Sequence, residues 1–382
     1  MLYNLTDRTL MVMDSVGLSK NVTNESQVIN VRDWKTLYFV LTHLAPFSLA
    51  VDRYVTPIWC VIGILGNLVS ARIWTLRRMR KCNSSAAYLA SLAVSDLIFL
   101  ILIIGNDLEY PWLIGALDLQ GWCQIWNVLS MSAQYTSLLL VFAFTVERFI
   151  SVCRPFSCEK FSKTSRSSKI ISAIVCVSFL LASPQAVFWN INPATGECTI
   201  WASDSINTIY VIWNWTSELV MFGVIPILAF ILNVCVLRQI RTVGRLYVTS
   251  ETLHRHVGAR CTSTTATLMW ISFYLIFSKL PVTIVYTMEP IVQFGDPMTI
   301  EQMAEDPVWR NYLSYYTIRK VIVELGTSHH VCNVFIYAST SKQFRNHLKF
   351  FLVKFFCCKV NSPKNSPSQP VRSRQPWIHP KA

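Results

Sequence analysis

Charge is scarce in this chain. Only 14% of its 382 residues are Asp, Glu, Lys or Arg, while 52% are hydrophobic. Soluble domains carry about 25% charged residues, so the deficit argues against a large soluble core and for a chain that crosses a membrane several times. Other features are missing as well. The opening stretch MLYNLTDRTLMVMDSVG has no uninterrupted apolar run of the kind a cleavable signal peptide needs, so the first span is expected to act as the targeting signal. There is no metal-ligand spacing, no Gly-rich phosphate loop and no nucleophile elbow, which argues against an enzyme. No repeat relates the two halves, which counts against many transporter architectures.

Long apolar runs are what the chain does have. A hydrocarbon core about 30 Å thick needs roughly 20 apolar residues per helix. Six stretches meet this: Tyr54–Trp74, Ala86–Asn106, Gln124–Val146, Lys169–Trp189, Val211–Leu237 and Ala266–Met288. A seventh, Ser314–Ser339, carries Arg319, Lys320, Glu324, His329 and His330, and hydropathy alone leaves it open. Charge placement supports counting it. The segments after spans one, three and five are basic. Those after two and four contain no Lys or Arg, and the one after six is acidic. Lys and Arg mark the cytoplasmic side, so the N-terminus is expected outside and the basic tail inside, which requires an odd number of spans. The net charge of +13 is then mostly topology, and nucleic-acid binding is not expected. The fold class read from this is an all-α membrane protein: a seven-helix bundle over 52–340, an outer tail over 1–51, an amphipathic inner-leaflet helix over 341–358 and a disordered tail over 359–382.

The compartments assign chemistry. Sequons at Asn4, Asn21 and Asn24 fall in the outer tail, where N-glycosylation is possible. Of twelve cysteines, Cys123 and Cys198 stand outside. An oxidising compartment favours a bridge between them, the alternative being two free outer thiols. Cys357 and Cys358 follow the amphipathic stretch and are candidates for palmitoylation.

Several short motifs resemble the rhodopsin-like (class A) G protein-coupled receptors. They are Asn67 in GNLV, Asp96 in LAVSD, Cys123 opening span three, Glu147-Arg148-Phe149 closing it, Pro226 and Pro281 in spans five and six, and NVFIY from Asn333 to Tyr337. Cys123 and Arg148 are 25 residues apart, as in that family. The resemblance implies a receptor at the plasma membrane that partners a heterotrimeric G protein and arrestin. Its switch would be built from Glu147, Arg148, Phe149, Asn333 and Tyr337. It also implies an intramembrane polar site of Asn67, Asp96, Ser137, His329 and Asn333, which in the family can hold sodium. No other cofactor is implied.

Departures from the family pattern are as informative. Val334 replaces the proline of span seven, and Lys279 replaces the tryptophan of span six. The Lys279 ammonium is expected to pair with Asp96 in place of sodium, with Glu324 as second choice. Alternatively it packs uncharged. Ser130 stands where amine receptors carry an Asp, and Thr327 where opsins carry the retinal Lys, so neither ligand type is expected. A peptide fits better. Asp107, Glu109 and Glu289, among Tyr110 and Trp112, would meet a cationic peptide residue. Tyr286, Ser130 and Gln134 would line its pocket, although Gln134 could instead hydrogen-bond between helices. The local sequence looks most like invertebrate receptors of the FMRFamide and thyrotropin-releasing-hormone-like group. A constitutive receptor without a peptide ligand and a transporter are the alternatives.

Overall fold

In the computed structural model the backbone is described at residues 28–31, 34–77, 79, 86–153, 164–200, 204–246 and 255–357; the side chains of 164–165, 204–208, 243–246, 255–266, 268 and 354–357 are left aside. The sequons at Asn4, Asn21 and Asn24, together with Cys358 and the tail 359–382, lie outside the described residues, as does the Cys357 side chain.

Seven long helices form the bundle: span one (Pro46–Trp74), span two (Ala86–Glu109), span three (Trp122–Cys153), span four (Thr164–Ala182), span five (Asp204–Leu246), span six (Arg255–Met288) and span seven (Pro307–Thr340). Six of them are long and apolar enough to cross a membrane by length and composition, and span seven is not among those. Its polar residues explain this. Glu324, Thr327, Ser328, His329, His330 and Asn333 are all buried. They face the bundle, so mean hydropathy underrates the helix. Span three is central and packs against spans two, four and five, while span seven packs against one, two and six.

Span one begins earlier than the sequence suggests. A separate helix, Trp34–Leu44, precedes it, and Pro46 opens the span at a position where a missing N–H costs nothing. The charged residues Asp52 and Arg53 lie within this longer helix. In the fold both are partnered: Asp52 pairs with Lys320, and Arg53 donates to the Tyr38 hydroxyl and to the Pro111 carbonyl oxygen (3.0 Å). Residues 34–51 therefore belong to the folded body rather than to a tail. The outer helix sits in an apolar cluster with Tyr38, Leu41, Leu49, Ile300, Met303 and Trp309. Asp306 caps span seven by accepting the amides of Val308 and Trp309, both at 2.9 Å.

Proline shapes two spans. Span four ends at Ala182, and a short turn of helix, Gln185–Phe188, resumes after Ser183-Pro184. The interior of span five is π-helical over Glu218–Val224, where the Ile225 amide reaches back to the Val220 carbonyl, just before Pro226. Proline cannot donate to the helical ladder, and a π turn absorbs the misfit. At Gly66 a Cβ would lie 2.8 Å from Val334, so glycine permits the close approach of spans one and seven. The last helix, Lys342–Cys357, tucks Phe344 (0% exposed) under Trp74 and Tyr337. Arg345 donates to the carbonyls of Ala338 and Ser339 at the end of span seven (3.0 and 2.7 Å). The outer-face Phe350, Leu352 and Val353 stay exposed, as expected of a helix lying on a bilayer.

Candidate functional site

The half of the bundle at the Cys123 end of span three encloses a cavity of about 570 Å³, a size typical of ligand sites. Its cover is a two-stranded hairpin, β1 (Trp189–Ile191) against β2 (Cys198–Ile200). Cys198 is bonded to Cys123 at the start of span three, with their Cα atoms 5.8 Å apart, so the bridge expected from the sequence is present. The Cys198 amide also donates to Asp118 (2.8 Å). The bridge fixes the hairpin over the cavity. Cys198→Ser is therefore expected to free the cover and reduce surface expression and ligand affinity together, as checked by cell-surface immunolabelling and equilibrium binding.

The cavity wall contains Asp107, Ser130, Gln134, Tyr286 and Glu289, so the structure brings together five of the six residues picked from sequence as ligand contacts. The sixth, Glu109, is misplaced. It is buried away from the cavity, and its carboxylate accepts the Leu117 amide (2.7 Å), which supports the turn after span two. Glu289 lines the cavity but is already paired, since Arg319 contacts it at 2.5 Å and lies 4.8 Å over the Tyr286 ring. Lys320 likewise pairs with Asp52. Gln134 makes a contact with Met131 Sδ (3.9 Å) on its own helix rather than a bond between spans. Sequence reading missed several contributors, three of them informative. Trp34 and Leu37 reach the wall from the outer helix. Trp34 is held there by its amide to Glu197 (3.1 Å) and its indole N–H to the Tyr110 carbonyl (3.0 Å). Glu218 comes from the π turn of span five. An acid in the middle of an apolar span was the available signal for it.

Below the cavity lies a compact polar cluster. Asp96 is 0% exposed. Its carboxylate accepts from Ser137 Oγ (2.7 Å), from Asn333 Nδ2 (2.8 Å) and from His330 Nδ1 (2.7 Å). His330 Nε2 lies 3.3 Å from Lys279 Nζ. An ammonium only donates, so Nε2 accepts and Nδ1 carries the proton that goes to Asp96. Asn67 Nδ2 donates to the His330 carbonyl (2.8 Å) and locks the strip of span seven that carries the ring. Two expectations are corrected here. Lys279 reaches Asp96 through an imidazole and not directly. That imidazole is His330 rather than His329, whose ring nitrogens have no hydrogen-bond partner among the described residues. Residues 329 and 330 are four and three positions before Asn333, and both spacings share a helix face. The sequence did not separate them. Glu324, the second choice for Lys279, instead accepts from Thr56 (2.5 Å). Both carboxylate oxygens of Asp96 already accept hydrogen bonds, and Lys279 stands behind the imidazole, so a sodium ion here would compete with an internal cation.

At the opposite end of span three from Cys123, Glu147, Arg148 and Phe149 are half-buried. The Arg148 guanidinium lies 5.6 Å from the Phe144 ring centroid one turn away. Tyr337 is fully buried, edge-on to Trp74 at 5.5 Å. Its hydroxyl has no hydrogen-bond partner among the described residues.

Comparison with known proteins agrees with this geometry. The chain is 32% identical over 149 residues to neurotensin receptor type 1 of Rattus norvegicus (36% of this chain, 34% of that one). It is 31% identical over 165 residues to the pyrokinin-1 receptor of Drosophila melanogaster (40% and 36%). A longer match, 24% identical over 328 residues, is to a probable G-protein coupled receptor of Caenorhabditis elegans (81% and 70%). The chain thus spans about a third of the length of the first two relatives. Residues 66–337 match the 7 transmembrane receptor (rhodopsin family). That match covers the polar cluster, the Glu147-Arg148-Phe149 end and all the span motifs, and the family is one of receptors, not enzymes: this chain belongs to the rhodopsin family of seven-transmembrane receptors.

Proposed function

We propose that the chain is a plasma-membrane receptor, N-terminus outside, that binds an extracellular peptide in the 570 Å³ cavity and activates a heterotrimeric G protein through the Arg148 end of span three. The observation that carries the ligand class is the cavity wall itself, which mixes carboxylates with Trp34, Tyr110, Trp189, Tyr210 and Tyr286. Acids beside aromatic rings suit a peptide with basic and apolar side chains. The relatives named for peptide binding, the neurotensin and pyrokinin receptors, support the same class. Within it, amidated Arg-Phe peptides of the FMRFamide type match the wall well. Arrestin engagement of the inner face, glycosylation at Asn4, Asn21 and Asn24, and palmitoylation at Cys357 and Cys358 belong to the same reading.

The test is a panel of amidated neuropeptides applied to expressing cells, with guanine-nucleotide exchange measured in their membranes. At least one peptide is expected to stimulate exchange in these membranes and not in those of untransfected cells. High exchange that no peptide alters would instead favour a constitutive receptor.

A further inference from the structure

Five carboxylates line the cavity: Asp52, Asp107, Glu218, Glu289 and Glu324. Three cations, Lys279, Arg319 and Lys320, share the wall. Their pairing is uneven. Lys320 is committed to Asp52 and Arg319 to Glu289. Lys279 is turned toward His330 and, through it, Asp96 beneath the cavity. Among the described residues, Glu218, Asp107 and Glu324 are left without an ion-pair partner.

Two of these three are deeply buried. Glu218 is only 7% exposed and has neither a hydrogen-bond nor an ion-pair partner among the described residues. Lys279 interacts with it only at a distance, as a charge. Glu324 is also 7% exposed; Thr56 satisfies one oxygen, and the other has no hydrogen-bond partner among the described residues. Asp107 likewise keeps one oxygen unpartnered. A buried carboxylate without a donor is costly unless something arrives to meet it.

Their positions differ. Glu218 opens the π turn of span five, which packs on span six. Glu324 and Asp107 belong to spans seven and two, which contact one another. Span six stands between spans five and seven. The cavity therefore has two separate anionic corners. We infer that the ligand carries two cationic groups, one received by Glu218 on span five and the other by Glu324 with Asp107 on spans seven and two. This rests on the peptide reading and sharpens it. A basic side chain and a free N-terminal amine, or two basic side chains, would satisfy both corners; a peptide with a single charge would leave one carboxylate buried and unmet.

The inference is testable on the purified full-length receptor with three small probes. Arginyl-phenylalanine amide carries two positive charges. Citrullyl-phenylalanine amide keeps only the amine, and N-acetyl-arginyl-phenylalanine amide keeps only the guanidinium. Dissociation constants are measured by ligand-induced thermal shift. The doubly charged probe is expected to bind at least tenfold more tightly than either singly charged one. Glu218→Gln and Glu324→Gln should each abolish that advantage, and Glu218→Asp should retain most of it. Equal binding of all three probes overturns the two-corner inference and leaves the peptide reading standing. So does an undiminished advantage in both Gln variants. Failure of all three probes to bind at millimolar concentration overturns the inference and the Arg-Phe form of the peptide reading together. If a Gln variant does not fold, the comparison of the three probes on the unaltered receptor decides alone.

Discussion

Arg148→Ala is expected to abolish ligand-stimulated nucleotide exchange while leaving surface expression and peptide affinity intact. Arg148 is half-buried at the inner end of span three, far along that helix from Cys123 and the cavity. Its guanidinium rests over Phe144 on its own helix. That aromatic contact contributes only about 0.5–1 kcal/mol at a partly exposed site. At the G protein interface the same charge would be desolvated and paired. Removing one partner of such a pair costs roughly 2–5 kcal/mol, which is about thirtyfold to several thousandfold in complex formation. Saturation binding and nucleotide exchange on matched membranes separate the two effects. Full signalling at equal expression would remove Arg148 from the coupling surface. Arg148→Lys keeps the charge but loses the planar fork, and should recover only part of the activity. By the family resemblance, in which the acid holds the arginine at rest, Glu147→Gln should raise basal exchange.

How much of this was legible beforehand depended on which physical signal each residue left in the chain. Six spans announce themselves by apolar length. The seventh was recoverable only from the charge of its flanks, because Glu324, His329, His330 and Asn333 turn their polarity inward. The Cys123–Cys198 bridge followed from compartment. Ligand contacts were harder. Glu109 and Glu289 are acids in the right place along the chain, yet one is spent on the Leu117 amide and the other on Arg319. Both partners are distant enough in sequence, or ambiguous enough in helix phase, to escape a linear reading. Glu218 carried a usable signal, a lone acid inside an apolar span, but its orientation depends on a π turn that periodicity does not show. The helix at Trp34–Leu44 is only 11 residues long, too short to register among apolar runs of membrane length, and Asp52 and Arg53 at the start of span one find their partners on span seven and in the turn after span two only in the fold.

Lys279→Met is expected to destabilise the receptor strongly, and Asp96→Asn added to it to cost much less than Asp96→Asn costs alone. The reason is the chain of three groups beneath the cavity. Lys279 donates to His330 Nε2 at 3.3 Å, and His330 donates from Nδ1 to Asp96 at 2.7 Å. All three are within 6% of complete burial. With the lysine as an ammonium and the aspartate as a carboxylate, the cluster is neutral overall and each charge is met through the ring. Removing one partner of a buried pair leaves the other charge uncompensated, at a cost of about 3–5 kcal/mol. Lys279→Met strands Asp96 in this way. Asp96→Asn alone strands Lys279. In the double variant neither charge remains, so its loss should fall well short of the sum of the two singles, with a coupling energy of about 0.5–3 kcal/mol. Thermal unfolding of the four proteins in one detergent measures the cycle. Strict additivity would show that Lys279 and Asp96 do not communicate through His330. A second readout tests the same geometry on function. Because the internal cation already balances Asp96, agonist affinity in the unaltered receptor should not change when sodium replaces another monovalent cation at constant ionic strength. In Lys279→Met the carboxylate loses that cation, and sodium dependence should appear. Strong sodium inhibition of agonist binding in the unaltered receptor would show that Lys279 does not hold the place of the ion.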